Sequence, residues 1–173
     1  TLRLVGAEAL VRWQHPRRGL LQPGAFIDAA EDAGLLGEID SAALHQAVGQ
    51  LASWQRSGDV DDAFRIGVNV SARQFGDQRL VSMVAEELAD AGLDPSRLWL
   101  EITETTMMRD VAQSSATMHE LKALGAHLSV DDFGTGYSSL AYLKQFPVEA
   151  LKIDQSFIAG LCRNADDRAI VEA

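Results

Sequence analysis

Five short runs, residues 4–10, 64–71, 98–103, 127–132 and 150–154, each combine an apolar row with a polar residue opposite it, at or near the C-terminal end. Neighbours along a strand point to opposite faces of a sheet. Val5, Ala7 and Ala9 therefore leave Glu8 on the other face, and Ile66, Val68 and Val70 leave Asn69. Leu98, Leu100 and Ile102 leave Glu101, Leu128 and Val130 leave Asp131, and Leu151 and Ile153 leave Lys152. Helical patterns separate the runs, and a βα rhythm of this kind predicts a parallel sheet in an α/β fold. In a (β/α)8 TIM-like barrel the apolar rows would meet surrounding helices, and the polar residues would look inward near the C-terminal ends of their strands, where such barrels place their active mouth. The pattern predicts one convergent site.

The helical segments are read from spacing. Leu44, Val48, Leu51 and Trp54 share one helical face; Leu80, Val81, Val84 and Leu88 share another, between Asp77 and a stop at Gly92. Val111, Met118 and Leu121 mark a third, stopped at Gly125. Shorter helices are expected after Pro23 and after Tyr137, and a last one from near Asp166.

The 173 residues amount to one ordinary domain with apolar residues enough for one core. The net charge of −10 repels nucleic acid polymers, so a broad DNA- or RNA-binding face is excluded. A small anionic substrate stays compatible if metal ions supply local positive charge. The single cysteine, Cys162, cannot form an internal disulfide. No apolar run approaches the roughly 18 residues of a membrane span, and no signal segment opens the chain. A cytoplasmic domain without direct membrane insertion is expected, with a tether of a longer parent protein to the inner membrane left open.

Glu8, Asn69, Glu101 and Asp131 offer oxygen donors suited to hard cations such as Mg²⁺, Mn²⁺ or Ca²⁺. Asp132 follows at the strand end, where alternation stops, and can serve a second ion. A pair of ions could clamp a phosphodiester and generate the attacking hydroxide. Lys152 would hold that water or neutralise charge developing on phosphorus. Glu104 could anchor the glycine-rich loop that runs on from Asp132 through Gly134 and Gly136, and the fork of Arg12 suits a phosphate.

Each residue also has a plainer reading. Glu8 could pair with Arg12, Asn69 or Ser71 could cap the next turn, Asp131-Asp132 could belong to a tight turn, and Lys152 could be a surface residue. Jointly these require independent strands to place polar groups on one side by chance. His15, His45, His119 and His127 lack ligand spacing, Trp13, Trp54 and Trp99 read as packing residues, and Ser138 and Ser139 have no neighbouring histidine to activate them.

The segments Glu8-Ala9-Leu10-Val11-Arg12-Trp13, Asn69-Val70-Ser71, Glu101-Ile102-Thr103-Glu104, Asp131-Asp132-Phe133-Gly134-Thr135-Gly136 and Lys152-Ile153-Asp154 resemble, in order and spacing, the signature of the EAL domain family. The resemblance implies a modified TIM barrel that hydrolyses cyclic di-GMP to linear pGpG with two Mg²⁺ or Mn²⁺ ions, Ca²⁺ being inhibitory. It implies Glu8, Asn69, Glu101 and Asp131 as ligands of the first metal and Asp132 of the second. Lys152 would contact the catalytic water, Glu104 would order the glycine loop, and Leu10, Arg12, Asn69 and Asp131 would contact substrate. It further implies that residues 1–173 are a partial EAL domain, from the family's second strand to the helix after its sixth. A complete barrel takes about 250 residues, so the isolated fragment is expected to be weakly active or inactive. Sensory or GGDEF-type domains in a longer parent and homodimerisation are the implied partners. The competing reading is a catalytically inactive sensor that binds cyclic di-GMP without cleaving it.

Overall fold

The computed structural model describes residues 3–134 and 143–161 together with positions 168 and 171. The expected helix after Tyr137, the residues Gly136, Ser138, Ser139 and Cys162, and most of the expected last helix lie outside the described residues.

Five parallel strands form one sheet in the order β1 (Gly6–Ala9), β4 (Arg65–Val70), β5 (Leu98–Thr103), β6 (His127–Phe133) and β7 (Ala150–Ile153). Consecutive strands of this sheet are neighbours throughout, as in a barrel wall, and the result is a parallel half-barrel. All five predicted strands are present. One departure is a small antiparallel hairpin, β2 (Trp13–His15) with β3 (Gly19–Leu21), in a stretch to which the sequence assigns no element. His15 organises its turn, accepting the N–H groups of Arg17 and Arg18 at Nδ1, at 3.0 and 3.2 Å.

The helices follow the predicted faces. A 3-10 turn at Pro23–Ala25 leads into α1 (Ile27–Asp32), and α2 (Leu36–Ser57) buries Leu44, Val48 and Leu51. The four-residue α3 (Ala72–Phe75) is capped by Ser71; α4 (Leu80–Ala91) buries Leu80, Val84 and Leu88. Five-residue α5 (Glu104–Met108) follows β5 directly, then α6 (Val111–Leu124) buries Met118 and Leu121, and α7 (Gln155–Gly160) follows β7. Among the described residues no helix is long and apolar enough to cross a membrane.

One core joins these helical faces to the outer side of the sheet through Ile66, Val68, Val70, Leu98, Leu100, Ile102, Leu128 and Val130. Burying each such side chain contributes about 1.5–3 kcal/mol, so this layer holds the fold. At the sheet edges the expectation that apolar rows meet helices fails: Val5, just before β1, is 69% exposed and Leu151 on β7 is 39% exposed. Among the described residues the three central strands have a neighbouring strand on each side, whereas β1 and β7 have one. Trp99 also departs from a simple core role. It lies on the side of β5 that carries Glu101, stacked on His127 at 4.8 Å, with the Arg65 guanidinium 5.7 Å over its ring.

Candidate metal and phosphodiester site

The inner side of the half-barrel gathers its polar residues because each sits on the non-core face of its strand. Register places Asn69 level with Glu101, Glu101 level with Ser129, and Glu8 level with Gly67. Gly67 leaves space that the Glu101 carboxylate occupies: a Cβ at Gly67 would stand 2.5 Å from Glu101 Oε1.

The predicted convergence is present. Asn69 Nδ2 donates to Glu8 Oε1 at 2.8 Å. Lys152 Nζ donates to Glu101 Oε2 at 2.5 Å and to Glu8 Oε2 at 3.3 Å, and stands 3.9 Å from Asp131 Oδ1. Three strands besides β7 thus direct a carboxylate toward one ammonium, and β4 joins them through the bond from Asn69 to Glu8. Glu8 takes Lys152 and Asn69 as its partners in place of Arg12, so the plainer pairing with Arg12 does not form.

The electrostatics reflect three carboxylates around one cation. Burial, which leaves Glu101 only 7% exposed, pushes its carboxyl above the usual glutamate value, and the charges of Glu8 and Asp131 push the same way against the Lys152 bond. Burial alone would lower Lys152, but its bond to Glu101 and the charges of Glu101, Asp131 and Glu8 hold it above the ordinary lysine value.

The end of β6 brings two adjacent aspartates to the same place. Val130 pairs with Leu151 and Phe133 with Ile153, so Asp131 and Asp132 together oppose Lys152 in a β-bulge. Among the described residues Asp132 alone of the non-glycines has a positive φ, 52°. Burial raises the Asp132 pKa, as do the charges of Asp131 and Asp154. Just beyond, Gly134 donates its N–H to Glu104 Oε2 at 2.8 Å. The predicted anchoring of the loop by Glu104 is therefore present at its first glycine, and Glu104 itself is 2% exposed.

Two of the predicted substrate contacts, Asn69 and Asp131, lie in this cluster. The other two, Leu10 and Arg12, follow β1 and border an open cleft of about 880 Å³ that Glu8 also lines, with Trp13, Phe26, Leu35 and Glu38. Arg12 Nη1 donates to the Val11 carbonyl at 2.7 Å. Three residues received no role from the sequence. Asp154 caps α7 through the Ser156 N–H at 2.9 Å and adds negative charge beside Asp132. Its Asp-x-Ser spacing is a cap signal that was available. Asp40, on α2, accepts the hydroxyl of Ser71, which follows Asn69 by two residues, and burial raises its pKa. Phe157 lies against Gly134; no sequence pattern links those positions.

As to metal, the donor set is all oxygen once the Asn69 nitrogen is committed to Glu8, and it suits a hard cation. Among the described residues no three His, Cys, Asp or Glu side chains stand in a formed ligand cage. The point where Glu8, Glu101 and Asp131 converge is held by the Lys152 ammonium. The set fits a cation in chemistry and in convergence, provided the flexible Lys152 stem yields that point.

The EAL domain family model matches residues 1–173. The chain is 46% identical over 170 residues to the bifunctional diguanylate cyclase/cyclic di-GMP phosphodiesterase MucR of Pseudomonas aeruginosa, covering 98% of this chain and 24% of the relative. It is 43% identical over 166 residues to the cyclic di-GMP phosphodiesterase NbdA of the same organism, covering 96% of this chain and 21% of that protein. The chain thus spans about a quarter of the length of the curated relatives it matches. A solved structure of the PaMucR phosphodiesterase in complex with c-di-GMP superposes with a TM-score of 0.91 at 46% identity, covering 98% of this chain and 68% of that one.

Proposed function

The chain belongs to the EAL domain family, and from that premise we propose that its parent protein is a metal-dependent phosphodiesterase opening cyclic di-GMP to linear pGpG. The observation that carries the proposal is the meeting of Glu8, Glu101 and Asp131 around the Lys152 ammonium, with Asn69 bonded to Glu8 beside them. The similarity to MucR and NbdA supports the substrate.

Glu8, Asn69, Glu101 and Asp131 would hold one Mg²⁺ or Mn²⁺ and Asp132 part of a second. When bound, such ions supply Lewis acidity toward the phosphate and lower the pKa of water. Larger Ca²⁺ would take the same oxygen donors with looser geometry and would therefore inhibit. Lys152, held protonated, would orient the attacking water or offset charge developing on phosphorus. Glu104 would hold the loop entrance through the Gly134 N–H. Leu10 and Arg12 at the neighbouring cleft would meet the substrate, the guanidinium fork taking a phosphate. Residues 1–173 act as part of a larger EAL barrel in a cytoplasmic, sensor-linked protein able to dimerise.

The test is turnover of cyclic di-GMP by the full-length parent with Mn²⁺. Linear product is expected, and Glu8→Ala should reduce its formation by on the order of 100-fold or more. Tight binding of the dinucleotide without product in either protein would favour the sensor reading. Absence of both binding and product would overturn the substrate assignment.

A further inference from the structure

Asp132 keeps a left-handed backbone that non-glycine residues rarely adopt, and such a conformation persists only where its surroundings over-determine it. Part of those surroundings acts two residues further on, at Gly134. On one side the buried Glu104 carboxylate accepts the Gly134 N–H at 2.8 Å. On the other, the ring of Phe157 fills the space a side chain would need: a Cβ at Gly134 would stand 2.8 and 3.0 Å from two ring carbons. Gly134 itself has φ 99°.

Phe157 is well fixed to press there. Its own N–H donates to the Asp154 carbonyl at 3.2 Å, and the Asp154 N–H donates to the Phe133 carbonyl at 3.4 Å. The start of α7 is thereby bonded to the residue between Asp132 and Gly134. We propose that Phe157 is a positioning residue: its ring, packed on Gly134, holds the loop entrance against Glu104 and so keeps Asp132 turned into the β-bulge beside Asp131. This deepens the phosphodiesterase reading, since Asp132 is there a metal ligand, but the geometric claim is testable without turnover.

The experiment compares full-length protein carrying Phe157→Ala, Phe157→Leu or, as a control on the same helix, Ile158→Ala, whose side chain is exposed. Amide hydrogen exchange at Gly134 is read together with Mn²⁺ affinity, measured from the free-ion signal by electron paramagnetic resonance. Phe157→Ala should accelerate exchange at Gly134 by about tenfold or more and weaken Mn²⁺ binding, while exchange at Leu100 in the central strand stays as in the wild type. Phe157→Leu, which still fills the space, should recover most of both effects and serves as the decisive variant if the alanine protein does not fold. Adding Glu104→Gln to Phe157→Ala should give less than the sum of the single effects, because both act on one residue. Unchanged Gly134 exchange in Phe157→Ala, or equal changes in Ile158→Ala, would overturn the proposal. Lost turnover with unchanged Gly134 exchange would also overturn it, leaving the phosphodiesterase reading intact. Faster exchange in a protein that never cleaves cyclic di-GMP would support the role of Phe157 and refute the reaction.

Discussion

At the scale of single residues the site is an unbalanced charge cluster, with Glu8, Glu101 and Asp131 sharing Lys152. Glu101 and Asp132 have raised pKa values in the folded protein. The native state therefore binds their protons more tightly than the unfolded chain does. Their contribution to stability is fully present below the unfolded values of 4.5 and 3.8 and is lost as pH rises through the folded ones. Lys152 has the same sign at the other end: its contribution holds below 10.5 and disappears above its raised folded value. Lys152→Met should consequently destabilise the protein by about 1–2 kcal/mol at pH 8, a figure reduced from that for a buried pair because Lys152 is partly exposed. The loss should be smaller at pH 5 than at pH 8, because the Glu101 carboxyl, held above the ordinary glutamate value, gains more of its proton over that range than a free glutamate would. Urea unfolding at both pH values checks this, and equal losses would refute the electrostatic account. The inward residues of this cluster are legible in the sequence because strand alternation alone separates Glu8, Asn69, Glu101, Asp131 and Lys152 from their apolar neighbours. The placement of Asp132 is not, since its turn inward depends on a bulge that only pairing with β7 defines.

At the scale of elements, packing outweighs local signals, and α6 shows by how much. Its N-cap Asp110 accepts the Gln113 N–H at 3.0 Å, while Met118 and Leu121 are fully buried on its inner face. Asp110→Ala should cost about 1 kcal/mol and Leu121→Ala about 2–5 kcal/mol through the cavity it leaves. Equilibrium denaturation of both variants measures the ratio; equal losses would mean that the cap, and not the core, holds this helix. The same balance explains which elements could be read in advance. α2, α4 and α6 carry long periodic faces, and each was expected where it stands. The hairpin of β2 and β3 has three residues per strand, too few for alternation to register. Its turn rests on a histidine ring nitrogen accepting backbone N–H groups. Short α3 and α5 are below the length at which a helix is stable alone. They exist because Ser71 and Thr103 cap them and because Phe75 and Met107 are buried, which are consequences of the assembled sheet.

At the scale of the molecule the decisive feature is that β1 and β7 are the ends of the five-stranded sheet among the described residues. Among the described residues each has no strand partner on its outer side, and an edge of unpaired backbone groups is the arrangement most prone to pairing with another chain. The β1 side also displays Leu4 at 80% and Val5 at 69% exposure. Covering an exposed side chain of that size contributes about 1.5–3 kcal/mol, enough for contact between chains to compete with the repulsion that a net charge of −10 creates. Residues 1–173 alone should therefore associate as concentration rises through the micromolar range, and more strongly at high salt, where repulsion is screened while apolar burial persists. Val5→Lys places a charge on the edge and should weaken this association by about tenfold or more, without unfolding the central strands, because Val5 makes no part of their core. Sedimentation at several concentrations and two salt levels reads both effects. A mass that stays monomeric throughout would show that these edges are already protected, and the half-barrel would then have to be stable in its own right.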